Sequence, residues 1–433
     1  MRFLGITETC DLGSLYLRLR GEGHEVKVSI SEPMAQGTLR GMIEQVPDWR
    51  TELDWIREAW SDGIILFEAV SEGFGALQDR LRADGFQVVG GSEFGDRLEN
   101  DRAYAQDVLA ELGLRTAPTR EFTRVSSAID FLRRHPGRYV LKFSGAAGGQ
   151  NYVGQWTDAR DMKSVLASHL RANGDAGVTF ILMDFLEGVE MGVGAYFDGR
   201  KFLKPACLDW EHKRFFPGDL GELTGEMGTV ATFDRSSHFF DMTLGKLADL
   251  LREHGHVGYV NLNTIVNDKG IWPLEFTCRF GYPGFAVLEP LQKTSWGELF
   301  RLMVGQSGSF VAHPGFSVGV VVTSPPFPYS RKQVEEPVGL PIALAPTLDS
   351  VDMKHIHFCE VGQENGDMVT NGLYGWTMVI TGTGSTITTA REQAYSRIGA
   401  VSVPNGRYRL DIGDKLISSE LERVESLGLL SPR

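Results

Sequence analysis

The 433-residue sequence has only four cysteines, and they are scattered: none forms a CxxC pair or a spacing that suits a zinc site. This usage fits the reducing cytosol, so we expect a cytoplasmic protein. No run of about 18 apolar residues is present, and we therefore expect no membrane-spanning helix. The first residues are strand-like and lack the charged and apolar regions of a signal peptide, so none is expected.

Basic residues are also in short supply: 43 Lys and Arg stand against 56 Asp and Glu, for a net charge of -13. This balance argues against general nucleic-acid binding, which needs a basic surface. It leaves a small anionic substrate open, because a local cluster of Lys and Arg can still bind phosphate. Repeats and long linkers are absent, and the length suggests roughly two to four packed units.

The first hundred residues alternate strand-like and helix-like patterns, from RFLGI through HEVKVSI and GIILFEA to FQVVGG. Such a βαβ rhythm indicates a parallel sheet covered by helices. We interpret residues 99–113 as a helix, 191–204 and 259–279 as β-rich segments around a helix over 239–254, and the part after 314 as short strands with one helix. The fold class predicted is α/β, or α+β over several domains.

The strongest local signal is the hairpin GYVNLNTIVNDKGIWPLEFTCRFG, residues 258–281. A three-residue loop, 268–270, predicts a register in which polar side chains of both strands share one face. Oxygen ligands on two neighbouring strands suit Mg²⁺ (or Mn²⁺), which takes a few protein oxygens plus phosphate and water. The alternative is a polar strand face exposed to water. The shared face consists of Asn261, Asn263, Glu275, Thr277 and Arg279.

Two further segments carry charge beside glycine-rich loops. In RYVLKFSGAAGGQNYVG, residues 138–154, a strand brings Lys142 to a loop whose backbone N–H groups can approach phosphate oxygens. It has no GK[ST] motif, and a flexible Gly hairpin is the alternative. In WEHKRFFPGDLGELTGEMGT, residues 210–229, His212, Lys213 and Arg214 precede a long acidic loop, which is either an anion-binding or a structural segment.

Taken in order, these motifs resemble the ATP-grasp ligases, and among them the phosphoribosylamine–glycine ligases. FILMDFLEGVEMGVGAYFDG resembles the family's EEFLxGEE hinge, EHKR…GDLGELTGEMGT its DHKR…GDxGPNTGGMG, and PLEFTCRFG its LEFNxRFGDPE. The segments before and after, from about residue 85 to 415, are also similar to the family. The resemblance implies an ATP-grasp fold with a Rossmann-like N-terminal domain (1–100), a small lobe with the lid (101–187), a large lobe (188–313) and a small C-terminal mixed α/β domain (314–433).

The resemblance also implies a reaction: Mg²⁺–ATP phosphorylates a carboxylate, such as that of glycine, and a small amine attacks the acylphosphate. We expect a monomer or homodimer, and from the charge balance and the lack of a long apolar run we expect binding to neither nucleic acid nor membrane. Arg279, His212, Lys213 and Arg214 match catalytic positions, and Glu275 and Thr277 match metal ligands, with Asn263 as a further ligand across the hairpin. The positions matching the ATP site are Arg102, Lys142, Gly145, Gly148, Gly149, Asp184, Phe185, Leu186, Glu187 and Glu190.

Several positions depart from the family. Thr277 stands in place of an Asn, Arg102 in place of a Lys, and Gly149 near the place of a lid Lys. Tyr282 and Gly284 replace acidic residues. The family's first glycine-rich turn, which implies a phosphate site, is GITETCDLGSLYL here, with Glu8 and Asp11 at the helix start. Carboxylates there would repel phosphate. We therefore expect an amine other than phosphoribosylamine; the alternatives are a true phosphoribosylamine–glycine ligase and an inactive ATP-binding protein.

Overall fold

A computed structural model describes residues 1–143 and 151–432 of the chain. Its strands are β1 (Arg2–Thr7), β2 (Glu25–Ile30), β3 (Glu44–Gln45), β4 (Gly63–Phe67), β5 (Gln87–Val89), β6 (Thr119–Arg124), β7 (Tyr139–Phe143), β8 (Tyr152–Val153), β9 (Ala176–Asp184), β10 (Val189–Phe197), β11 (Cys207–Glu211), β12 (Arg214–Phe216), β13 (Leu220–Leu223), β14 (Gly228–Thr232), β15 (Gly258–Asn267), β16 (Gly270–Thr277), β17 (Phe316–Thr323), β18 (Ala343–Leu344), β19 (Ile356–Phe358), β20 (Val361–Glu364), β21 (Asp367–Thr370), β22 (Trp376–Gly384) and β23 (Val401–Ser402).

The α-helices are α1 (Gly13–Gly21), α2 (Leu53–Glu58), α3 (Phe74–Ala83), α4 (Glu93–Asn100), α5 (Arg102–Glu111), α6 (Val125–Arg134), α7 (Arg160–Asn173), α8 (Ser237–Met242), α9 (Ala248–Glu253), α10 (Gly284–Leu288), α11 (Trp296–Met303), α12 (Ile387–Ile398) and α13 (Leu421–Ser426). Short 3-10 turns and one π turn join several of them. None of the helices within the described residues is both long and apolar enough to cross a membrane.

The N-terminal segment forms the predicted parallel sheet, with strand order β3-β2-β1-β4-β5. Its middle strands are continuous apolar runs, as expected of strands that are covered on both faces. The predicted helix over 99–113 is wrong at its beginning, because α4 ends at Asn100 and a new helix, α5, starts at Arg102. The carboxylate of Asp101, between them, accepts a hydrogen bond from the Tyr104 N–H and caps α5. The predicted helix over 239–254 is likewise two short helices, α8 and α9, separated by a 3-10 turn.

The chain divides into two compact units. The first comprises residues 1–108, 190–264 and 275–433, and the second comprises 109–189 and 265–274. In the first unit, β14 pairs with β17 and β17 with β22, so the C-terminal strands continue the sheet that contains β10 and β11. The full order of this sheet is β16-β15-β10-β11-β14-β17-β22-β19. The division into four domains stays a prediction.

The second unit is built on a smaller sheet of order β6-β9-β7-β8, with α6 and α7 packed on it. The amphipathic pattern of both helices turns their apolar side chains to the sheet, where Leu132, Leu141, Leu166 and Phe180 are fully buried. The β15–β16 hairpin has a connection of two residues, Asp268 and Lys269, one fewer than predicted. The residues of the predicted lid, Gly145, Gly148 and Gly149, lie outside the described part of the chain.

Candidate active site

One face of the large sheet in the first unit is polar across three neighbouring strands. Alternate residues of a strand point to the same face, so every second residue of β10, β11 and β15 lines it. The order β15-β10-β11 places these rows side by side although they are far apart in sequence. Gly192 lies directly opposite Asp209 in the β10–β11 pair. The face consists of Glu190, Gly192, Gly194, Cys207, Asp209, Glu211, Tyr259, Asn261 and Asn263.

Lys213 is the centre of a charge cluster at one end of this face. Its Nζ lies 3.0 Å from Glu190 Oε1, 3.0 Å from Glu211 Oε2 and 3.1 Å from Glu275 Oε1. Burial alone would lower the pKa of Lys213, but the three carboxylates raise it well above its ordinary value. Arg102 Nη1 also lies 3.1 Å from Glu275 Oε2. The predicted residues Lys213, Glu190, Glu275 and Arg102 are therefore brought together.

Asn263 joins the same cluster through Glu190. Its Nδ2 donates a 2.7 Å hydrogen bond to Glu190 Oε1, which identifies Oδ1 as its acceptor atom. Thr277 is half-buried at the end of β16, two residues after Glu275. Carboxylate, amide and hydroxyl oxygens are the donor types that Mg²⁺ takes, so the set fits this ion. Within residues 1–143 and 151–432 no group of three or more His, Cys, Asp or Glu forms a metal cage. Ligands from phosphate and water would therefore have to complete the coordination.

A second, deeper group lies on this face, and of its members the sequence pattern identified Asn261 but neither Asp209 nor Tyr259. Asp209 Oδ2 accepts a 2.6 Å hydrogen bond from Asn261 Nδ2, and Tyr259 Oη lies 3.3 Å from the same amide nitrogen. Burial, followed by the charge of Glu211, raises the pKa of Asp209 to about 7. The sequence signal for this group was the pair of alternate glycines in MGVG, residues 191–194, because small residues on one face of a strand leave room for large side chains on the neighbouring strands.

Two glycines of β10 make that room. A Cβ on Gly192 would lie 2.1 Å from Asp209 Oδ1, and one on Gly194 would lie 1.9 Å from Tyr259 Oη. Both distances are far below any real carbon–oxygen contact, so side chains at these positions would push Asp209 and Tyr259 away. The glycines are thus required by close packing across the sheet, and the fit of this polar group depends on them.

Glu226 is a further buried carboxyl beside the cluster that the sequence reading did not single out. Its side chain is 6% exposed, and no hydrogen-bond partner is found for its Oε1. Burial, then the charges of Glu211 and Asp209, raise its pKa well above the ordinary value. Burial and the neighbouring carboxylates thus both favour the neutral form of Glu226. Its position in the acidic loop within residues 210–229 was a signal in the sequence, but its burial was not evident from the sequence.

The other two residues of the His-Lys-Arg segment point away from Lys213. His212 Nε2 accepts a hydrogen bond of 3.2 Å from the Gly413 N–H, and burial lowers the pKa of His212 to about 4. Arg214 Nη1 donates to the Gly221 carbonyl at 2.8 Å, within the β12–β13 hairpin. Of the three adjacent residues, the structure brings only Lys213 into the cluster.

Arg279 lies just beyond the end of β16. Its Nη2 is 3.2 Å from Glu99 Oε1, and its Nη1 donates to the Phe280 carbonyl. Glu99 also accepts a 2.8 Å hydrogen bond from the Cys278 N–H, so the acid fixes the chain around Arg279. Burial raises the pKa of Asp11, and the positive charge of Arg279 offsets part of that rise. Arg279 is thus held by Glu99 just beyond the end of β16.

Among the described residues that are predicted to hold the nucleotide, all except Arg102 and Glu190 belong to the second unit. Lys142 is half-buried on β7 and lies opposite Ile181 of β9. Asp184 ends β9, and its N–H donates to the Pro118 carbonyl. Phe185 stacks under the Arg138 guanidinium at 3.6 Å, and Glu187 lies 3.6 Å from Arg138 Nη1. Leu186, between them, is half-buried.

Comparison with known proteins agrees with this arrangement. Residues 100–285 match the family model of the phosphoribosylglycinamide synthetase ATP-grasp (A) domain. Curated relatives include the phosphoribosylamine–glycine ligases of Neisseria meningitidis serogroup B, 27% identical over 79% of this chain and 82% of that one, and of Pseudomonas aeruginosa, 28% identical over 79% and 80%.

Among solved structures, the phosphoribosylamine–glycine ligase of Thermotoga maritima superposes with a TM-score of 0.70 at 21% identity, covering 95% of this chain and all of that one. An N5-carboxyaminoimidazole synthetase from Staphylococcus aureus, complexed with ADP, gives 0.57 at 12% identity over 92% and 97%. The chain therefore contains a segment similar to an ATP-grasp domain, and as a whole it resembles the phosphoribosylamine–glycine ligases. The predicted fold class and family resemblance are confirmed, and so is the enzyme class at the level of this likeness.

The start of α1 is acidic, as the sequence indicates. Glu8 is exposed, and Asp11 accepts a 2.7 Å hydrogen bond from the Thr9 hydroxyl. Glu68, which the sequence reading missed, is 3% exposed; it accepts hydrogen bonds from the Leu12 N–H and the Tyr16 hydroxyl. Burial and the charge of Asp11 raise the pKa of Glu68 to about 7.

Proposed function

We propose that this protein is an ATP-dependent, ADP-forming ligase that joins a carboxylate to an amine through an acylphosphate. The observation that carries the proposal is the meeting of Lys213 and Arg102 with Glu275 and Glu190, within the segment matched by the ATP-grasp domain model. Cations beside a candidate metal ligand are what phosphoryl transfer requires, since negative charge has to be balanced while the phosphoryl group moves.

Each residue has a role that follows from its chemistry. Glu275, Asn263 and Thr277 would supply oxygen ligands to Mg²⁺, which, when bound, neutralises phosphate charge. Lys213 and Arg102 would bind phosphate oxygens, and Arg279 would stabilise the transferred phosphoryl group. In the second unit, Lys142 would bind phosphate, and residues 184–187 would hold the adenine.

The amine acceptor in this proposal is not phosphoribosylamine. The support is the acidic start of α1, where Glu8, Asp11 and Glu68 replace the environment that a phosphate group requires. The second candidate is a true phosphoribosylamine–glycine ligase. The names of the curated relatives, which match about four-fifths of the chain, favour it.

The test measures ADP release with Mg²⁺ and ATP, first with glycine and phosphoribosylamine, then with a panel of amino acids and phosphate-free amines. We expect turnover with at least one phosphate-free amine and little with phosphoribosylamine. Robust turnover with phosphoribosylamine would establish the second candidate. Tight ATP binding without stimulation by any acceptor would refute both.

A further inference from the structure

Glu360 is an internal carboxylate held by a turn of backbone N–H groups. It follows β19 and is 3% exposed. Its two oxygens accept hydrogen bonds of 2.5–3.0 Å from the N–H groups of four consecutive residues, 373–376. Successive N–H groups that converge on one point form an anion-binding concavity. In this protein that concavity is filled by the protein's own carboxylate.

Glu68 similarly occupies an anion-binding position at the start of α1. The first N–H groups of a helix carry partial positive charge and favour an anion. At the start of α1, the Leu12 N–H donates a 3.0 Å hydrogen bond to Glu68 Oε2, and no side chain caps the helix. Glu68 reaches this position from the end of β4, so the parallel sheet itself delivers the carboxylate.

Glu68 and Glu360 both lie near the start of α1 in the first unit. A Cβ on Gly13, the first residue of α1, would lie 3.5 Å from the Cys359 carbonyl oxygen, so the chain beside Glu360 packs directly on the helix start. Asp11 acts electrostatically on both Glu68 and Glu360. The N–H groups of Leu12 and of residues 373–376 are therefore already occupied by carboxylates.

From these contacts we propose that Glu68 and Glu360 are specificity-determining residues that exclude a phosphate group from this end of the amine site. The inference rests on the proposed ligase function and adds the substrate class: an amine without a phosphoryl group at the end that faces α1. A phosphate entering here would meet no unoccupied N–H group of residues 12 and 373–376, and it would be repelled by carboxylates at short range. A neutral or cationic group does not need free N–H donors and is not repelled by the carboxylates.

The test uses calorimetry with three probes, inorganic phosphate, ribose 5-phosphate and ribose, on the full-length protein without ATP. We expect the unaltered protein to bind neither phosphate-bearing probe at millimolar concentration. Glu360→Ala frees the turn 373–376, and Glu68→Gln removes the charge at α1. We expect each variant to gain affinity for ribose 5-phosphate by about tenfold or more, with a smaller change for ribose.

Glu364→Ala is the matched control, because Glu364 is an exposed acid four residues further along the same segment. An equal gain in this variant would mean that general charge, not the two internal carboxylates, sets the affinity, and would overturn the proposal. So would ribose 5-phosphate binding to the unaltered protein, or no gain in either variant that retains the native circular dichroism spectrum. Glu360→Gln, which preserves shape, replaces Glu360→Ala if the latter does not fold.

The result is independent of turnover, because the binding assay contains no ATP. If no amine stimulates ADP release but the phosphate probes behave as expected, the ligase function fails while the exclusion of phosphate stands. If ADP release requires phosphoribosylamine, the ligase function stands, while the exclusion of phosphate and the choice of a phosphate-free amine fail.

Discussion

The Lys213 ammonium group lies 3.1 Å from Glu275 Oε1, so the residue proposed to bind phosphate is paired with the proposed metal ligand. Lys213 also neutralises Glu190 and Glu211, and its side chain is only 22% exposed. Replacing Lys213 by Met leaves these carboxylates without their shared cation. Breaking such a buried pair costs about 3 kcal/mol of unfolding free energy or more. We expect that loss in urea unfolding and at least a hundredfold loss of turnover, a barrier increase of about 3 kcal/mol.

Lys213→Arg is the matched control, because it keeps the charge in a larger group. It should recover most of the stability but only part of the turnover, since a guanidinium places its charge differently. Equal stability of the Met variant and the unaltered protein would show that the cluster is not electrostatically coupled.

Glu275→Gln tests the metal site. The change keeps size and hydrogen-bonding capacity but removes the charge that Mg²⁺ requires, so Mg²⁺-dependent ADP formation should be lost. Because the amide oxygen of the new side chain can still accept a hydrogen bond from Lys213 or Arg102, we expect the melting temperature to change little. ADP release and thermal unfolding, measured over a Mg²⁺ titration, check both statements. Unchanged turnover would remove Glu275 from the metal site.

Gly194→Ala tests the packing of the deeper polar group. The added methyl would overlap Tyr259 Oη, 1.9 Å away, and would also lie only 3.0 Å from Asn261 Nδ2. Overpacking of this kind typically costs about 1–3 kcal/mol, and we expect that loss in urea unfolding. Gly21→Ala is the control, because a Cβ at the end of α1 meets nothing within 4 Å. It should be neutral or slightly stabilising.

The pH dependence of stability tests the burial of Glu68. Its pKa is about 7 in the folded protein against an ordinary value of 4.5, so the folded state binds the extra proton between these values. Stability from this group is therefore fully present below pH 4.5 and is lost as the pH rises through 7, by about 3 kcal/mol in total. In Glu68→Gln the decline in unfolding free energy from pH 4.5 to 7.5 should be smaller by that amount. Parallel curves for the two proteins would show that Glu68 titrates normally.

Sequence reasoning found the parts of the site that lie within one hairpin or one motif. Alternation along β15 and β16 identified Asn263 and Glu275, because a strand's own period fixes which side chains share a face. It also grouped Arg279 with them. The strand ends at Thr277, however, so alternation no longer governs Arg279, whose partner is Glu99.

The missed residues owe their positions to strand order. Asp209 meets Asn261, and Lys213 meets Glu190, only because β11, β10 and β15 are neighbours in the sheet. No local pattern encodes which strands will pair across such distances in sequence. For the same reason, the pairing of β14 with β17, which joins the C-terminal strands to the site's sheet, was not predicted.

Arg409 provides a last test, because its side chain joins the β12–β13 hairpin to the C-terminal segment. The side chain is fully buried; Nη1 donates at 3.0 Å to both the Arg214 carbonyl and Asp219 Oδ1, and two nitrogens donate to Asp411. In Arg409→Met the two acids lose this buried partner, at a cost of about 3–5 kcal/mol. We expect faster hydrogen exchange over residues 214–223, with Arg409→Lys intermediate because it keeps the charge but not the fork of donors. Unaltered exchange in this loop would show that the β12–β13 hairpin holds itself in place and that Arg409 only stabilises the segment around Asp411.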